Sequence, residues 1–535
     1  MPRRTDSPPP SWAETGVCAL VLAVVAVAVF GSHIASAGFL QDDWDLQSQS
    51  RFAPEPGLWG AYEQAASMRF FDYRPVVSLV FATTHELLGT NVSGHLALAV
   101  AVGVAVSVLF HRLLRELGIG ALPAAAMALL SLLYPFSDTT RLWAAGGVNN
   151  LGVVLYLLAT LVALRGLRAG RRRAAALLHA AALALYVLSV LTYQVAAAAA
   201  MLSGLVYALR APWRSVLPRW ALDVVAVAAA TAVVVVNAPR RIQTLASQLD
   251  HALEIARESF SLLAWTAWPF GAPRPLAVTA IAISLILAAL VVARRRATGD
   301  LLRDELRRWL AIVAAGVLVV GAGYAMIAPA NPFFVPLTPG TANRVNGVPA
   351  FGFVLVVYAL AMLLGLLCVG ARRAAALPAL ALSVVLAVGY SARLSEHEGA
   401  WATSWRLQRE VLTAIEDGLP ARAGATVFSF GHAIDAAPGI AVFRQLDLRP
   451  AVKVELGDES VSAWPVLPST TFACVRDRVY PTNNRYGPPN AGRYGRAFFI
   501  DVAGGRVARI DSRADCERAV AGFRPGPLLA PPRGL

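Results

Sequence analysis

The sequence predicts an all-α, multi-pass membrane protein with about eleven transmembrane helices and a small extracytoplasmic α/β domain at its C-terminus. Of its 535 residues, 57% are hydrophobic and 15% are charged, whereas soluble proteins are roughly 45–50% apolar and about 25% charged. Long stretches such as Val224–Val236 contain almost no polar side chain, and about 20 such residues cross a bilayer. This composition argues against a soluble enzyme.

Apolar runs bounded by Arg, Pro or Gly give the individual helices, because a bilayer-spanning helix needs an unbroken apolar segment. The eleven runs lie near residues 16–38, 92–113, 120–137, 147–166, 174–192, 195–209, 219–238, 276–293, 309–328, 347–370 and 374–392.

The net charge of +14 comes from arginine, since Lys453 is the only lysine. Arginine clusters such as Arg112/Arg115 and Arg165–Arg173 fall on alternate loops, and carboxylates fall on the others. By the positive-inside rule the arginine-rich side is cytoplasmic. We therefore expect a protein of the cytoplasmic membrane with a cytoplasmic N-terminus, an extracytoplasmic C-terminal domain and no nucleic-acid partner.

Two of the four cysteines, Cys474 and Cys516, lie in the polar C-terminal segment. A cysteine pair confined to one soluble segment predicts a disulfide in an oxidising compartment. This agrees with an extracytoplasmic C-terminus.

The expected domains are a cytoplasmic tail, a transmembrane domain with two long outer loops, a mixed C-terminal domain and a Pro-rich tail. They cover residues 1–15, 16–393 (with loops 39–91 and 239–275), 394–523 and 524–535. The C-terminal domain is predicted to open with a helix near Trp405–Ile415. Strand-like segments follow at Thr426–Phe430, Ile440–Phe443, Val452–Glu455 and Phe498–Val502.

The acidic pair Asp42-Asp43 directly follows the first predicted helix and is the clearest candidate for chemistry. Carboxylates there lie near the headgroup of a membrane-embedded substrate, and partial burial raises a carboxyl pKa toward that of a useful general base. The alternative is a solvated acidic loop beside the membrane.

Three further motifs follow the acidic pair along the chain. An Arg-Pro step at Arg74 lies in the first outer loop, a Gly-Thr-Asn…His-Leu stretch with its histidine at His95 opens the second helix, and Asp138 follows the third. This order resembles the GT-C membrane glycosyltransferases, especially the protein O-mannosyltransferase and lipid A aminoarabinose transferase group and their bacterial relatives. The resemblance covers roughly residues 16–210.

The resemblance implies a GT-C fold and a glycosyltransferase that uses a polyprenyl-phosphate-linked sugar. The acceptor would be a hydroxyl of a protein, lipid or glycan on the outer face, attacked with inversion at the anomeric carbon. Asp42 or Asp43 would be the general base, and Asp138 would orient the acceptor or hold a metal. No cofactor is certain, and a divalent metal is left open.

Arginines must supply the phosphate contacts, because the predicted outer loops contain no lysine. The candidates are Arg74, Arg241 and Arg344, although an arginine at the membrane boundary is often only a snorkelling anchor. Arg344 is favoured because its Gly/Asn-rich loop lets main-chain amides and a guanidinium converge on an anion. His95 would bond the substrate or pack between helices.

A transporter, or a non-catalytic protein that binds a lipid-linked sugar, is the alternative. A transporter is expected to carry ionisable groups near the bilayer midplane or to contain inverted repeats. In this sequence the polar motifs lie in the outer loops, and this favours the glycosyltransferase.

Overall fold

The computed structural model describes residues 11–68, 71, 73–238, 244–295, 301–329, 332–369, 372–420, 423–444, 446–482 and 491–531. Up to residue 418 the described chain is helical. Its α-helices are α1 (Trp12–Ser36), α2 (Asp42–Arg51), α3 (Gly57–Ala66), α4 (Pro75–Leu88), α5 (Val92–Glu116), α6 (Ala121–Leu132), α7 (Thr139–Leu142), α8 (Gly147–Arg168), α9 (Arg172–Thr192), α10 (Ala197–Met201), α11 (Ser203–Ala208), α12 (Trp213–Asn237), α13 (Leu245–Ala267), α14 (Pro275–Arg295), α15 (Leu301–Ala325), α16 (Pro349–Val369) and α17 (Arg372–Gly418). Short 3-10 helices cover Pro135–Ser137, Gln194–Ala196 and Gly340–Asn346.

Nine helices within the described residues are long and apolar enough to cross a membrane, namely α1, α5, α8, α9, α12, α14, α15, α16 and α17. The protein is therefore a helical multi-pass membrane protein, as the sequence predicts. All eleven predicted runs contain helix, but two of them are not single helices long enough to cross a membrane.

Helix α6 has 12 residues and rises only about 18 Å. Pro135 follows it closely, and a proline disfavours the helical conformation at the residue that precedes it. The run at 195–209 is divided into a 3-10 turn, α10 and α11, with non-helical backbone at Ala196 and Leu202. Neither run is a full-length regular helix.

One end of the helical bundle gathers arginines and their partners, and we call it the arginine end. Arg115 of α5 donates to Glu14 of α1 at 2.5 Å, and Arg168 of α8 pairs with Glu116 at 2.6 Å. The opposite end carries Asp42 and is called the carboxylate end. Arginines and carboxylates, which fall on alternate loops along the sequence, thus lie at opposite ends of the bundle.

The two long loops fold at the carboxylate end. The first contains α2, α3 and α4, and the second contains α13. On α13 the side chains of Leu245, Leu249 and Leu253 are exposed and repeat at helical spacing. An apolar stripe directed away from the protein is typical of a helix lying at a membrane surface.

Helix α17 runs unbroken for 47 residues. The last predicted crossing and the predicted opening helix of the C-terminal domain are therefore one helix, and the expected boundary at residues 393/394 falls inside it. Tyr390 donates to the Thr266 carbonyl at 2.6 Å, which fixes α17 against α13.

The C-terminal region is a small α/β domain, as predicted. Its main sheet has the order β4-β1-β8-β9, with β1 parallel to β4 and β8, and β9 antiparallel to β8. The strands are β1 (Thr426–Phe430), β2 (Asp435–Ala437), β3 (Ile440–Ala441), β4 (Ser462–Pro465), β5 (Phe472–Cys474), β6 (Arg478–Pro481), β7 (Gly492–Arg493), β8 (Ala497–Asp501) and β9 (Arg506–Ile510). The domain also contains helices α18 (Leu448–Leu456) and α19 (Arg513–Gly522).

The predicted strand at Val452–Glu455 is wrong, because this segment lies in α18. Leu448, Ala451 and Val452 are buried at helical spacing, and Gly457 ends the helix in the left-handed conformation that favours glycine. A disulfide joins Cys474 of β5 to Cys516 of α19, with their Cα atoms 5.9 Å apart.

Candidate functional site

The acidic pair is positioned by an unusual backbone at the start of α2. Gln41 has φ 49° and ψ −119°, which is rare for a residue with a Cβ and costs about 1–3 kcal/mol. The next two residues, Asp42 and Asp43, begin the helix. Trp44 is buried and donates through Nε1 to Gln408 of α17 at 2.9 Å. This bond fixes α2 against the helix that leads into the C-terminal domain.

Asp43 is the buried member of the pair, with 2% of its surface exposed. Its Oδ1 accepts from the main-chain N–H of Ala145 at 2.7 Å, and its Oδ2 accepts from that of Leu40 at 3.0 Å. Burial raises the pKa of Asp43 to about 8, against the opposing effect of these two bonds. Both oxygens are therefore engaged in holding the main chain.

Asp42 is the exposed member of the pair. The protein surrounding the carboxyl raises its pKa by desolvation, while the positive charges of Arg344 and Arg444 lower it, and the net shift is upward. Asp42 can therefore accept a proton, and two guanidinium groups act on it by their charge.

Arg74 and Arg344 converge on Tyr193, which lies between α9 and the 3-10 turn. The Arg74 guanidinium lies 4.2 Å from the centre of the Tyr193 ring. Burial raises the pKa of the Tyr193 phenol, but Arg344 and Arg74 lower it by their charge and by hydrogen bonds, so its net pKa is below the ordinary value. Two arginines that are 270 positions apart in the sequence thus share one tyrosine.

Trp143 connects the arginines to the acidic pair. Its Nε1 donates to the Leu40 carbonyl at 2.9 Å, next to the strained turn before α2. The guanidinium of Arg344 lies 5.3 Å from the centre of the Trp143 ring. Asp42, Asp43, Arg74 and Arg344 are therefore connected through Trp143 and Tyr193 at the carboxylate end.

His95 lies at the edge of a cavity of about 150 Å³. Asp43, Gln47, Thr84 and His95 form the polar part of its lining, and the rest is mostly apolar residues of α2, α4, α5, α8 and the loops before α2 and α8. His95 Nε2 is 2.9 Å from the Gly89 carbonyl oxygen and 3.2 Å from Gln47 Nε2, while Gln47 Oε1 is 2.8 Å from Nδ1 of His85. The imidazole is thus tied to α2 and to the turn before α5.

Asp138 is buried with 2% exposure, and its partners come from distant parts of the chain. Its Oδ1 accepts from the Thr139 N–H at 2.8 Å and from the Asn343 side chain, and its Oδ2 lies 2.7 Å from Nδ1 of His397 on α17. Because Asn343 precedes Arg344, Asp138 links the loop that carries this arginine to the long helix.

Arg241 lies outside the described residues. Within the parts of the chain that the structure describes, no group of three or more His, Cys, Asp or Glu side chains is arranged to hold a metal ion.

Sequence reasoning missed four residues of this site: Tyr193, Asn343, His397 and Arg444. Tyr193 follows an apolar run and is typical of a hairpin residue. Its position between two predicted helices, at the same predicted end as Arg74 and Arg344, could have signalled it. His397 and Arg444 lie far from the motifs in sequence, and only the fold brings them near.

The fold and the site define a multi-pass membrane protein with a charged site at one end of its helical bundle, beneath a C-terminal α/β domain. No protein-family model matches the chain, and no curated protein matches it. Among solved structures it is similar to ArnT from Cupriavidus metallidurans in the apo state, with 17% identity and a TM-score of 0.36 over 82% of this chain and 85% of that chain. It is also similar to ArnT from the same organism bound to undecaprenyl phosphate, with 17% identity and a TM-score of 0.33 over 84% and 90% of the two chains. Likeness at this level assigns no activity to the chain.

Proposed function

We propose that this protein is a membrane glycosyltransferase that moves a sugar from a polyprenyl-phosphate donor to an acceptor hydroxyl at the carboxylate end of the bundle. The observation that carries the proposal is the convergence of Asp42, Arg344, Arg74 and Tyr193. An accessible carboxyl group beside two arginines provides a base and an anion-binding group, which this reaction requires.

Asp42, rather than Asp43, is the general base in this proposal. Both oxygens of Asp43 already accept main-chain N–H groups, so this carboxyl group positions α2. Asp42 is exposed, and its pKa is raised by desolvation. A higher pKa makes a carboxylate a stronger base toward a hydroxyl proton.

In the reaction the acceptor oxygen forms a bond to the anomeric carbon while its proton passes to the Asp42 carboxylate. The bond between the anomeric carbon and the phosphate oxygen breaks, and its electron pair leaves with the phosphate. A direct displacement of this kind inverts the anomeric configuration. The oxygen that departs gains negative charge, which nearby guanidinium groups stabilise.

Arg344 and Arg74 bind the donor phosphate, oriented by Tyr193. The Tyr193 ring contacts the Arg74 guanidinium, and both arginines act on the Tyr193 phenol. Trp143 and Phe334 flank Arg344 with ring centres at 5.3 Å and 5.5 Å. Aromatic neighbours limit the rotamers of a long side chain, so less entropy is lost when the anion binds. His95 lines the adjoining cavity, and Asp138 orients the Arg344 loop.

The carboxylate end faces the extracytoplasmic side in this proposal. Arginines collect at the opposite end, which by the positive-inside rule is cytoplasmic. The N-terminus is then cytoplasmic and the C-terminal domain extracytoplasmic.

The test is sugar transfer by purified Asp42→Asn, Asp43→Asn and Asp45→Asn proteins in nanodiscs, supplied with a panel of radiolabelled polyprenyl-phosphate sugars and membrane acceptors. Loss of a general base lowers the rate by about 10²–10⁴-fold, and we expect this for Asp42→Asn with normal insertion. Asp45, also on α2, is the matched control and retains activity. Full transfer by Asp42→Asn rejects Asp42 as the base.

A further inference from the structure

The C-terminal domain contacts the Arg344 loop through two glycines. The turn between β2 and β3 has Gly439 at φ 75°, and the 3-10 helix Gly340–Asn346 begins with Gly340 at φ 65°. A Cβ on either residue would overlap the other segment's main chain, and the Thr341 N–H donates to the Gly439 carbonyl at 3.2 Å. The main chains of the two segments are therefore in close contact at these glycines.

Each segment carries an arginine shortly after this contact. Arg344 follows Gly340 by four residues, and Arg444 follows Gly439 by five. Both positive charges act on Asp42 and lower the pKa of its carboxyl group. The glycine contact thus brings one arginine from the bundle and one from the C-terminal domain to the same acidic residue.

Arg444 is held by its own domain. Its Nε and Nη2 donate to Oδ1 of Asp435 at 3.3 Å and 3.0 Å, and its main-chain N–H donates to Oδ2 of Asp447 at 3.2 Å. A guanidinium has five N–H donors in a planar fork, so Nη1 still offers two of them. The side chain is exposed and can reach a ligand.

Docking of the two domains rests on other residues. Phe39 and Trp44 lie in one buried apolar cluster with Leu448 and Val452 of α18, and Arg51 of α2 donates to the Val454 carbonyl at 2.8 Å. The Arg444–Asp435 ion pair is exposed and lies within the C-terminal domain, so it does not hold the two domains together.

We infer that Arg444 binds the donor phosphate together with Arg344, so that the C-terminal domain completes the site instead of only covering it. This inference rests on the proposed function, because it assigns the anion to the phosphate of a polyprenyl-linked donor. Guanidinium groups from two sides hold a phosphate by charge-assisted hydrogen bonds.

The experiment measures binding of a radiolabelled polyprenyl phosphate to the full-length protein in nanodiscs. Variants are Arg444→Ala, Arg444→Lys, Arg344→Ala and Arg513→Ala. Arg513 is the matched control, an exposed arginine of the same domain that is paired with Glu517 at 2.8 Å. Monodispersity and the thermal midpoint establish that each variant is folded.

We expect Arg444→Ala to raise the dissociation constant about tenfold, since a hydrogen bond to a charged group is lost, and to raise the donor KM more than it lowers kcat. Arg444→Lys should restore part of the affinity, and Arg513→Ala should match the unmodified protein.

If Arg444→Ala is misfolded, the comparison of Arg444→Lys with Arg444→Gln decides, because both keep a long side chain and only lysine keeps the charge. Unchanged binding by Arg444→Ala, with loss of binding by Arg344→Ala, overturns this inference alone. Absence of binding by the unmodified protein overturns the proposed function as well.

Discussion

The Asp43 carboxyl group accepts a hydrogen bond of 2.7 Å from the main-chain N–H of Ala145, which ties the start of α2 to the loop before α8. The Leu40 N–H occupies the second oxygen. An asparagine at position 43 has one oxygen, and its amide nitrogen cannot accept from an N–H. Asp43→Asn should therefore lower the free energy of unfolding by about 1–3 kcal/mol, measured as a lower thermal midpoint in detergent. Asp42→Asn, whose carboxyl group is exposed, serves as control and should leave the midpoint unchanged. An unshifted midpoint for Asp43→Asn would contradict the positioning role.

Stability should fall as the pH rises. Burial raises the pKa of Asp43 to about 8 and that of Asp447 to about 7, above the ordinary aspartate pKa of 3.8 in an unfolded chain. Between pH 4 and pH 8 the folded state therefore holds protons that the unfolded state has released. The free energy of unfolding decreases as pH increases through this window, by up to about 1.4 kcal/mol per pH unit and per group.

Thermal unfolding at about pH 6 and about pH 8.5 measures this effect. The midpoint should be lower at the higher pH, and Asp447→Asn, which keeps a neutral side chain, should make the difference smaller. A midpoint that rises with pH would show that these carboxyl groups are not protonated in the folded protein.

Tyr193 should matter for donor binding through its hydroxyl group. Tyr193→Phe keeps a ring beside the Arg74 guanidinium, 4.2 Å from the ring centre, and removes the hydroxyl group on which both arginines act. We expect the donor KM to rise about tenfold or less, as a hydroxyl group beside two charged groups is lost, with a smaller change in kcat. Tyr193→Leu also removes the ring and should raise the KM further. Equal KM values for all three proteins would separate Tyr193 from the site.

The disulfide should stabilise the C-terminal domain. Cys474 and Cys516 are 42 positions apart, and closing a loop of this length removes unfolded-state entropy worth about 4 kcal/mol at most. The double variant Cys474→Ala/Cys516→Ala should unfold at a lower temperature, with a loss of about 2–4 kcal/mol. Cys18→Ala is the control, because Cys18 is unpaired. A reducing agent should lower the midpoint of the unmodified protein and leave that of the double variant unchanged.

Cysteine labelling tests the membrane orientation. Glu55 and Arg295 are exposed and lie on opposite sides of the membrane in the proposed topology. In a background without free cysteines, a membrane-impermeant reagent added to intact cells should label Glu55→Cys, and it should label Arg295→Cys only after the membrane is opened. Labelling of both in intact cells would refute the topology.

The helical architecture could be predicted because a bilayer-spanning helix requires a long apolar segment, which can be recognised in the sequence without knowing how the helices pack. The acidic pair, Arg74 and Arg344 could be named because charges are scarce in this chain and their positions relative to the helices are readable. The convergence of Arg74 and Arg344 on Tyr193 depends on how α4, α9 and the Gly340 loop pack, which no local pattern encodes.

The partners of Asp138 illustrate the same limit. Its oxygens meet Asn343 and His397, more than 200 positions away, and only the packing of α17 and of the 3-10 helix Gly340–Asn346 brings them together. The predicted strand at Val452–Glu455 failed for a local reason. Its short apolar alternation fits a strand, but Gly457 and the buried positions of α18 favour a helix packed on α2.

Helix α17 passes without a break from the bundle into the C-terminal domain, with His397 bonded to Asp138 and Trp405 packed on Gly38. Each residue of an α-helix turns it by about 100°. One residue inserted after Trp405 would rotate the whole domain by that angle about the helix axis and carry Arg444 away from Asp42. The rotation of α17 about its axis therefore sets whether Arg444 lies near Asp42, so the length of this helix should tolerate insertions far less well than that of a flexible linker.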